Sequence, residues 1–263
     1  MMTRRKLLVA AAGIGLLGAG LAVVEEVPLR RALGLVGPDG VVPDLAPVPT
    51  SVHRFHSAAR GREVTLVAMV PAADLPVCVV LHGRGNNAQG MVELGLPRFL
   101  AAQPRSALVA VDGGDSYWVA RDPSDDPQAM LREELPGWLT GLGLSAPRAA
   151  LGISMGCFGG LEYARDLHAA AVLSPALFRS WPDARTIDGF ADEAQWAAHE
   201  PLRHLDRLPP RLGVWCGLED PFIDSARLLP ATVSAFDHGL HNEGYWRRVL
   251  PDALRFLGQV IPG

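Results

Sequence analysis

The sequence predicts an α/β fold: a mostly parallel central sheet with helices on both faces. Three observations predict it. Short, wholly apolar runs recur along the chain, at Val77–Leu81, Ala107–Val111, Ala149–Ile153 and Ala169–Leu173, and such runs suit strands covered on both faces. Segments of helical spacing lie between them, which is the alternation that a parallel sheet requires. Several runs end in glycine-rich turns, at His82-Gly83, Asp112-Gly113-Gly114 and Gly152-Ile153-Ser154-Met155-Gly156.

The chain has 263 residues, 49% of them hydrophobic, enough for one sizeable core. The net charge is −4 with both signs well mixed, so no basic stripe points to a nucleic-acid partner. The first residues stand apart. Thr3-Arg4-Arg5-Lys6-Leu7-Leu8 sets paired arginines before an uncharged apolar run from Leu7 to Val24. A basic head, an apolar middle and small residues near Gly20-Leu21-Ala22 read as an export signal. The start resembles a twin-arginine signal, which exports proteins already folded. The run is about 18 residues, at the lower limit for crossing a bilayer, so an uncleaved anchor associated with the membrane is the alternative. Residues 1–25 are therefore assigned to a signal or anchor, 26–48 to a linker and 49–263 to the α/β domain. The protein is expected to be secreted or held in the cell envelope.

Within the domain, Ser51–Ser57 and Glu63–Val70 read as a hairpin joined through Ala-Arg-Gly-Arg. Val77–Leu81 is the first buried strand, followed by a helical stretch at Ala88–Ala102 and a strand at Ala107–Val111. Asp126–Leu142 has helical spacing, with a kink or break expected at Pro136. Ala149–Ile153, a helix at Gly156–Arg165, and Ala169–Leu173 come next. Arg211–Cys216 and Ala231–Phe236 read as the last strands and Tyr245–Val260 as a closing helix. Residues 175–205, with Phe178, Trp181, Phe190 and Trp196, are expected to form a short cap over the site.

Gly152-Ile153-Ser154-Met155-Gly156 matches G-x-S-x-G. A serine exposed on a tight strand-to-helix turn leaves no room for side chains at the flanking glycines. The helix that follows favours negative charge at its N-terminus. Serine needs a base to take its proton. In this arrangement the order along the chain is serine, acid, histidine. His238 and His241 both lie late enough. His241, in the loop after the last strand, is the better base, and His238 ends the strand. Asp220 or Glu219, in the exit loop of Arg211–Cys216, can orient the imidazole; Asp220, stiffened by Pro221, is preferred. A tetrahedral intermediate needs two N–H donors. The residue after the serine, Met155, supplies one, and Arg84, between Gly83 and Gly85, supplies the other. His82 holds the loop. Tyr117 and Trp118, after the strand at Ala107–Val111, are placed as walls of a substrate pocket.

With these residues in hand, the chain resembles the esterase branch of the α/β-hydrolase superfamily that includes S-formylglutathione hydrolase (esterase D), feruloyl and acetylxylan esterases and mycobacterial mycolyltransferases. The resemblance runs over roughly residues 50–258. It is carried by Leu81-His82-Gly83, Glu133-Glu134-Leu135-Pro136, Gly152-Ile153-Ser154-Met155-Gly156, Leu173-Ser174-Pro175, and Gly239-Leu240-His241 with Tyr245-Trp246 behind it. It implies an α/β-hydrolase fold and Asp220 in the acid position, with Arg84 and Met155 at the oxyanion, and it supports His241 over His238. The stretch from Asp220 to His241 is short for this branch, so a reduced helix is expected there.

The expected activity is hydrolysis of a carboxylic ester or thioester, from a small molecule or a cell-envelope acyl ester, through an acyl-enzyme. An acyltransferase uses the same triad, and a secreted non-catalytic module uses the same fold. No cofactor and no metal are expected. His53 and His56 fall on opposite faces of a strand, and His199-Glu200 has no second histidine four residues on. Cys78, Cys157 and Cys216 read as free buried thiols, with one bridged pair as the alternative outside the cytoplasm.

Overall fold

The computed structural model describes Arg31, Gly34 and residues 36–261. The signal assigned to residues 1–25 lies outside the described residues. Within them, no helix is long and apolar enough to cross a membrane.

Eight strands form one sheet in the order β1-β2-β4-β3-β5-β6-β7-β8. They are β1 (Thr50–Ser57), β2 (Arg62–Met69), β3 (Val77–Leu81), β4 (Ala107–Val111), β5 (Pro147–Ile153), β6 (Ala169–Leu173), β7 (Arg211–Gly217) and β8 (Val233–Asp237). β1 and β2 form the expected hairpin and β2 joins β4 antiparallel; all other pairings are parallel. The apolar runs are continuous because both faces are covered. Val77, Val79 and Leu81 of β3 enter one core, while Cys78 and Val80 enter the other. Residues one apart on a strand point to opposite faces, so a strand between two helical layers has no position for a polar residue.

The helices refine the sequence reading. Ala88–Ala102 is two helices, α1 (Ala88–Glu93) and α2 (Leu96–Ala102), separated at Gly95, whose φ of 106° ends the first. The Asp126–Leu142 stretch is continuous but not uniform. Helix α3 (Pro127–Ala129) passes into a π-turn (Met130–Glu134) and then α4 (Leu135–Gly141). Pro136 lacks an N–H and its ring crowds the carbonyl four residues back. The wider π-turn absorbs both, so the helix changes pitch there without breaking. The turn also aims Glu134 at the hairpin, where its carboxylate accepts from Ser57 Oγ at 2.5 Å and the Ala59 N–H at 2.9 Å.

Helix α5 (Met155–Tyr163) follows β5 directly, and α6 (Trp181–Ala184) and α7 (Glu193–His199) belong to the 175–205 segment. The stretch before His241 keeps a single turn of helix, α8 (Ile223–Ala226), as the short spacing implied. The closing helix, α9 (Glu243–Val260), is capped by Asn242, whose side chain accepts from the Tyr245 N–H at 3.0 Å.

Candidate active site

The site is built where parallel strands end, the position at which α/β sheets bind ligands. β5 ends at Ile153 and α5 begins at Met155, so Ser154 alone makes the turn. Its backbone sits at φ 55°, ψ −119°, a conformation that L-residues adopt only under constraint. The glycines of the motif have steric reasons. A Cβ on Gly156 would lie 2.0 Å from the Leu81 carbonyl oxygen, and one on Gly152 would lie 2.5 Å from that of Gly156.

Ser154 Oγ is 2.8 Å from His241 Nε2, and His241 Nδ1 is 2.8 Å from Asp220 Oδ2. Residues far apart in sequence are thus joined in one line by the ends of β5, β7 and β8. Asp220 is buried. Burial alone raises the pKa of its carboxyl, but hydrogen bonding and charge from His241 and the Phe222 N–H outweigh it and hold the group below the ordinary carboxylate range. An ionised Asp220 requires Nδ1 of His241 to carry a proton, which leaves Nε2 free to accept from serine. The imidazole is fixed between two rings, Phe222 at 5.4 Å and Trp246 at 5.4 Å between centroids. The Gly239 and Tyr245 positions of the late motif are also explained: a Cβ on Gly239 would lie 2.1 Å from the Tyr245 ring.

The loop after β3 passes over the serine. A Cβ on Gly83 would lie 3.3 Å from Ser154 Cβ and 3.8 Å from its Oγ. The next residue is Arg84, whose N–H donates to no group among the described residues. The Met155 N–H opens α5, so no helical carbonyl four residues back can accept from it. His82 supports this loop as expected. Its Nδ1 donates to the Gly83 carbonyl at 2.8 Å and its Nε2 accepts from the Gly113 N–H at 2.9 Å. Burial lowers its pKa and favours this neutral form.

Tyr117 and Trp118 do not wall the pocket. Both are buried, at 4% and 0% exposure. Trp118 wedges between Gly113 and Gly159, and its Nε1 donates to the His82 carbonyl at 3.3 Å. Tyr117 packs on Phe158, Phe178 and Phe190. The strand-exit loop turns both rings inward because each gains more by burial against aromatic neighbours than by facing water. The 175–205 segment follows the same logic. Phe178, Phe190 and Trp196 are buried in the core, and none of its residues lines the pocket at Ser154. That pocket has a volume of about 210 Å³. Met91, Leu94, Ile153 and Trp246 give it an apolar wall, and Arg84, Asn86 and Glu243 a polar one. A larger hollow of about 690 Å³ lies at the opposite end of the sheet, beside His53, Asp74 and Ser145; it contains none of Ser154, Asp220 and His241, so size does not mark the chemistry here.

One residue at the site escaped sequence reasoning, and another has a different place from the one the sequence offered it. Ser174 sits at φ 54° beside Asp220, its N–H donating to the Trp215 carbonyl at 2.7 Å; only the Leu173-Ser174-Pro175 stretch hinted at it. Glu219, the alternative acid, meets His238 and the Gly239 N–H instead of His241. Cys78, Cys157 and Cys216 are free and buried. Cys157 donates to the Leu173 carbonyl at 3.2 Å, and burial pushes its pKa well up, so it is a neutral thiol. Among the described residues no cluster of histidine, cysteine, aspartate or glutamate is placed to hold a metal ion.

No protein-family model matches the sequence, and no curated protein matches it either. Solved structures do match. A ferulic acid esterase superposes with a TM-score of 0.68 at 15% identity, over 82% of this chain and 100% of the other. An S-formylglutathione hydrolase from Agrobacterium tumefaciens gives 0.68 at 15% identity, over 81% and 95%. MPT51 of Mycobacterium tuberculosis gives 0.67 at 20% identity, over 82% and 100%. The likeness in shape at such low identity, together with the strand order and the serine turn, establishes that this chain has the α/β-hydrolase fold.

Proposed function

We propose that the protein is a serine esterase that cleaves a carboxylic ester or thioester through an acyl-enzyme. One observation carries the reading: Ser154, His241 and Asp220 stand in a hydrogen-bonded line with contacts of 2.8 Å and 2.8 Å. The nucleophile sits on a strained turn at the start of a helix. His241 Nε2 takes the Ser154 proton as Oγ attacks the acyl carbon, and Asp220 stabilises the imidazolium that forms. The N–H groups of Arg84 and Met155 receive the developing oxyanion. His241 returns its proton to the leaving group, then draws one from water as that water attacks the acyl-enzyme; the bond to Ser154 Oγ then breaks, and Oγ takes the proton back from His241 as the acid departs. The pocket of about 210 Å³ is smaller than the ~300 Å³ lower bound of drug-sized ligand sites, which favours a short acyl group. The paired arginines and apolar run at the N-terminus support action outside the cytoplasm.

The test is labelling with a fluorophosphonate and mapping the adduct by mass spectrometry, with Ser154→Ala alongside. The expected result is one adduct, on Ser154, and turnover of short acyl esters that falls about 10⁶-fold in Ser154→Ala. Folded protein that neither labels nor cleaves any ester of a series of acyl chain lengths would overturn the reading in favour of a non-catalytic module.

A further inference from the structure

Resting on that reading, we infer that Glu219 is a positioning residue that clasps the acid loop to the base loop and so sets the distance between Asp220 and His241. Its side chain and backbone both engage the same residue of the opposite loop. Glu219 Oε2 accepts from the Gly239 N–H at 2.7 Å, and the Glu219 N–H donates to the Gly239 carbonyl at 3.2 Å. The other carboxylate oxygen, Oε1, takes His238 Nδ1 at 2.6 Å. Both polar groups of the Gly239 backbone are therefore held by one residue, and the histidine before it fixes the orientation of the carboxylate.

The placement gives the clasp its meaning. Glu219 directly precedes Asp220, and Gly239 lies two residues before His241. These are the two short stretches that deliver the acid and the base, and they come from the ends of neighbouring parallel strands, β7 and β8. The strand ladder ends at Gly217 and Asp237; one further backbone bond, from the Leu218 N–H to the Asp237 carbonyl at 2.8 Å, extends it. Beyond that point the sheet no longer sets the spacing of the loops. The contact is also tight, because a Cβ on Gly217 would lie 2.0 Å from the Gly239 carbonyl oxygen. Arg248 braces the far side, bonding the His238 carbonyl and pairing with Asp237 at 3.2 Å. Without the Glu219 carboxylate, the Gly239 N–H loses its acceptor, and a glycine in an unpaired loop is the most mobile kind of residue. A displacement on the order of 1 Å at the reacting groups is enough to lower a rate about 100-fold.

The experiment compares Glu219→Ala, Glu219→Gln and His238→Ala with wild-type protein, measuring kcat, KM and thermal unfolding on a short acyl ester. Glu219→Ala is expected to lower kcat about 10-fold to 100-fold while KM stays within about twofold, since the clasp touches no substrate. Glu219→Gln keeps a carbonyl for the Gly239 N–H and an amide for His238 Nδ1, and it is expected to restore kcat to within about threefold of wild type. His238→Ala removes one support of the carboxylate and leaves the Gly239 bonds, so its fall is expected to stay within about threefold. The inference is overturned if Glu219→Ala turns over as wild type does, or if Glu219→Gln is as impaired as Glu219→Ala. Inactive, folded wild-type protein would instead reject the esterase reading on which the inference rests.

Discussion

The backbone of Ser154 offers a measurement of stored strain. Two substitutions remove the hydroxyl: Ser154→Ala and Ser154→Gly. Both lose the Oγ–His241 bond of 2.8 Å, so that loss cancels in the comparison. They differ in one atom. Alanine keeps the Cβ, and with it the strain of holding φ 55°, ψ −119°, which is about 1–3 kcal/mol for a residue in a sparsely populated region. Glycine relieves that strain but loses about 0.5–1 kcal/mol through the greater freedom of the unfolded chain. The site is half-buried, so the missing Cβ itself matters little. The middle of these ranges leaves Ser154→Gly more stable than Ser154→Ala by about 1 kcal/mol, and for a domain of this size that raises the midpoint by roughly 2–4 °C. Calorimetric melting of both variants under one condition is the assay. An alanine variant that melts at or above the glycine variant would show that the turn is not strained and that the glycines at 152 and 156 answer only to packing.

Other predictions concern charge, thiols and the loop over the serine. Glu200 is fully buried, and its carboxyl is pushed up to about 7 from 4.5, by burial first and against donors at Phe178, Leu202 and Trp196. Below 4.5 it is protonated in both states. Between 4.5 and 7 only the folded protein keeps the proton, so stability falls as pH rises through that window and the loss is complete above it. Melting of wild type relative to Glu200→Gln should therefore drop between about pH 5 and pH 8; parallel slopes in the two proteins would count against it. Asp220 works in the opposite sense, contributing stability above its ordinary value of 3.8 that is lost only as pH falls below it, through the lowered folded value, so it does not interfere. The three thiols are buried with raised pKa values, and a thiol reagent should find none in the native protein and all three after denaturation; rapid native reaction would contradict their burial. Gly83→Ala places a Cβ 3.3 Å from that of Ser154, and turnover should fall about 10-fold to 100-fold with little change in melting; unaltered turnover would show that the loop has room to move.

The recurring apolar runs, the G-x-S-x-G turn and the serine–acid–histidine order were legible because each rests on local chemistry. A strand covered on both faces must be apolar throughout, as Val77–Leu81 is, and a nucleophile turn must have glycines where Cβ atoms would collide. The hairpin and the alternation of strands and helices follow from the same short-range rules, whereas the reduced helix at Ile223–Ala226 was expected from the family resemblance. Other features depended on what lies across space. Tyr117 and Trp118 occupy an exit loop that sequence position assigns to the pocket, yet each has a cavity waiting inside, Trp118 between Gly113 and Gly159 and Tyr117 among three phenylalanines. The 175–205 segment read as a cap for the same reason, and packs its aromatic side chains into the core instead. Pro136 announced a kink or a break, and what kind of irregularity it is, a π-turn with a change of pitch, was visible only in the fold. Nothing near Glu219 in the sequence shows that its carboxylate meets Gly239 and His238, because the two loops are neighbours only once β7 and β8 pair. The sequence alone singled out Ser154, Asp220 and His241, which the structure brings together, and the buried strands, since both are set by side-chain type and spacing along the chain. Only the tertiary structure decided which polar groups hold those residues in place, since a hydrogen bond between distant loops exists only after the sheet has brought their backbones together.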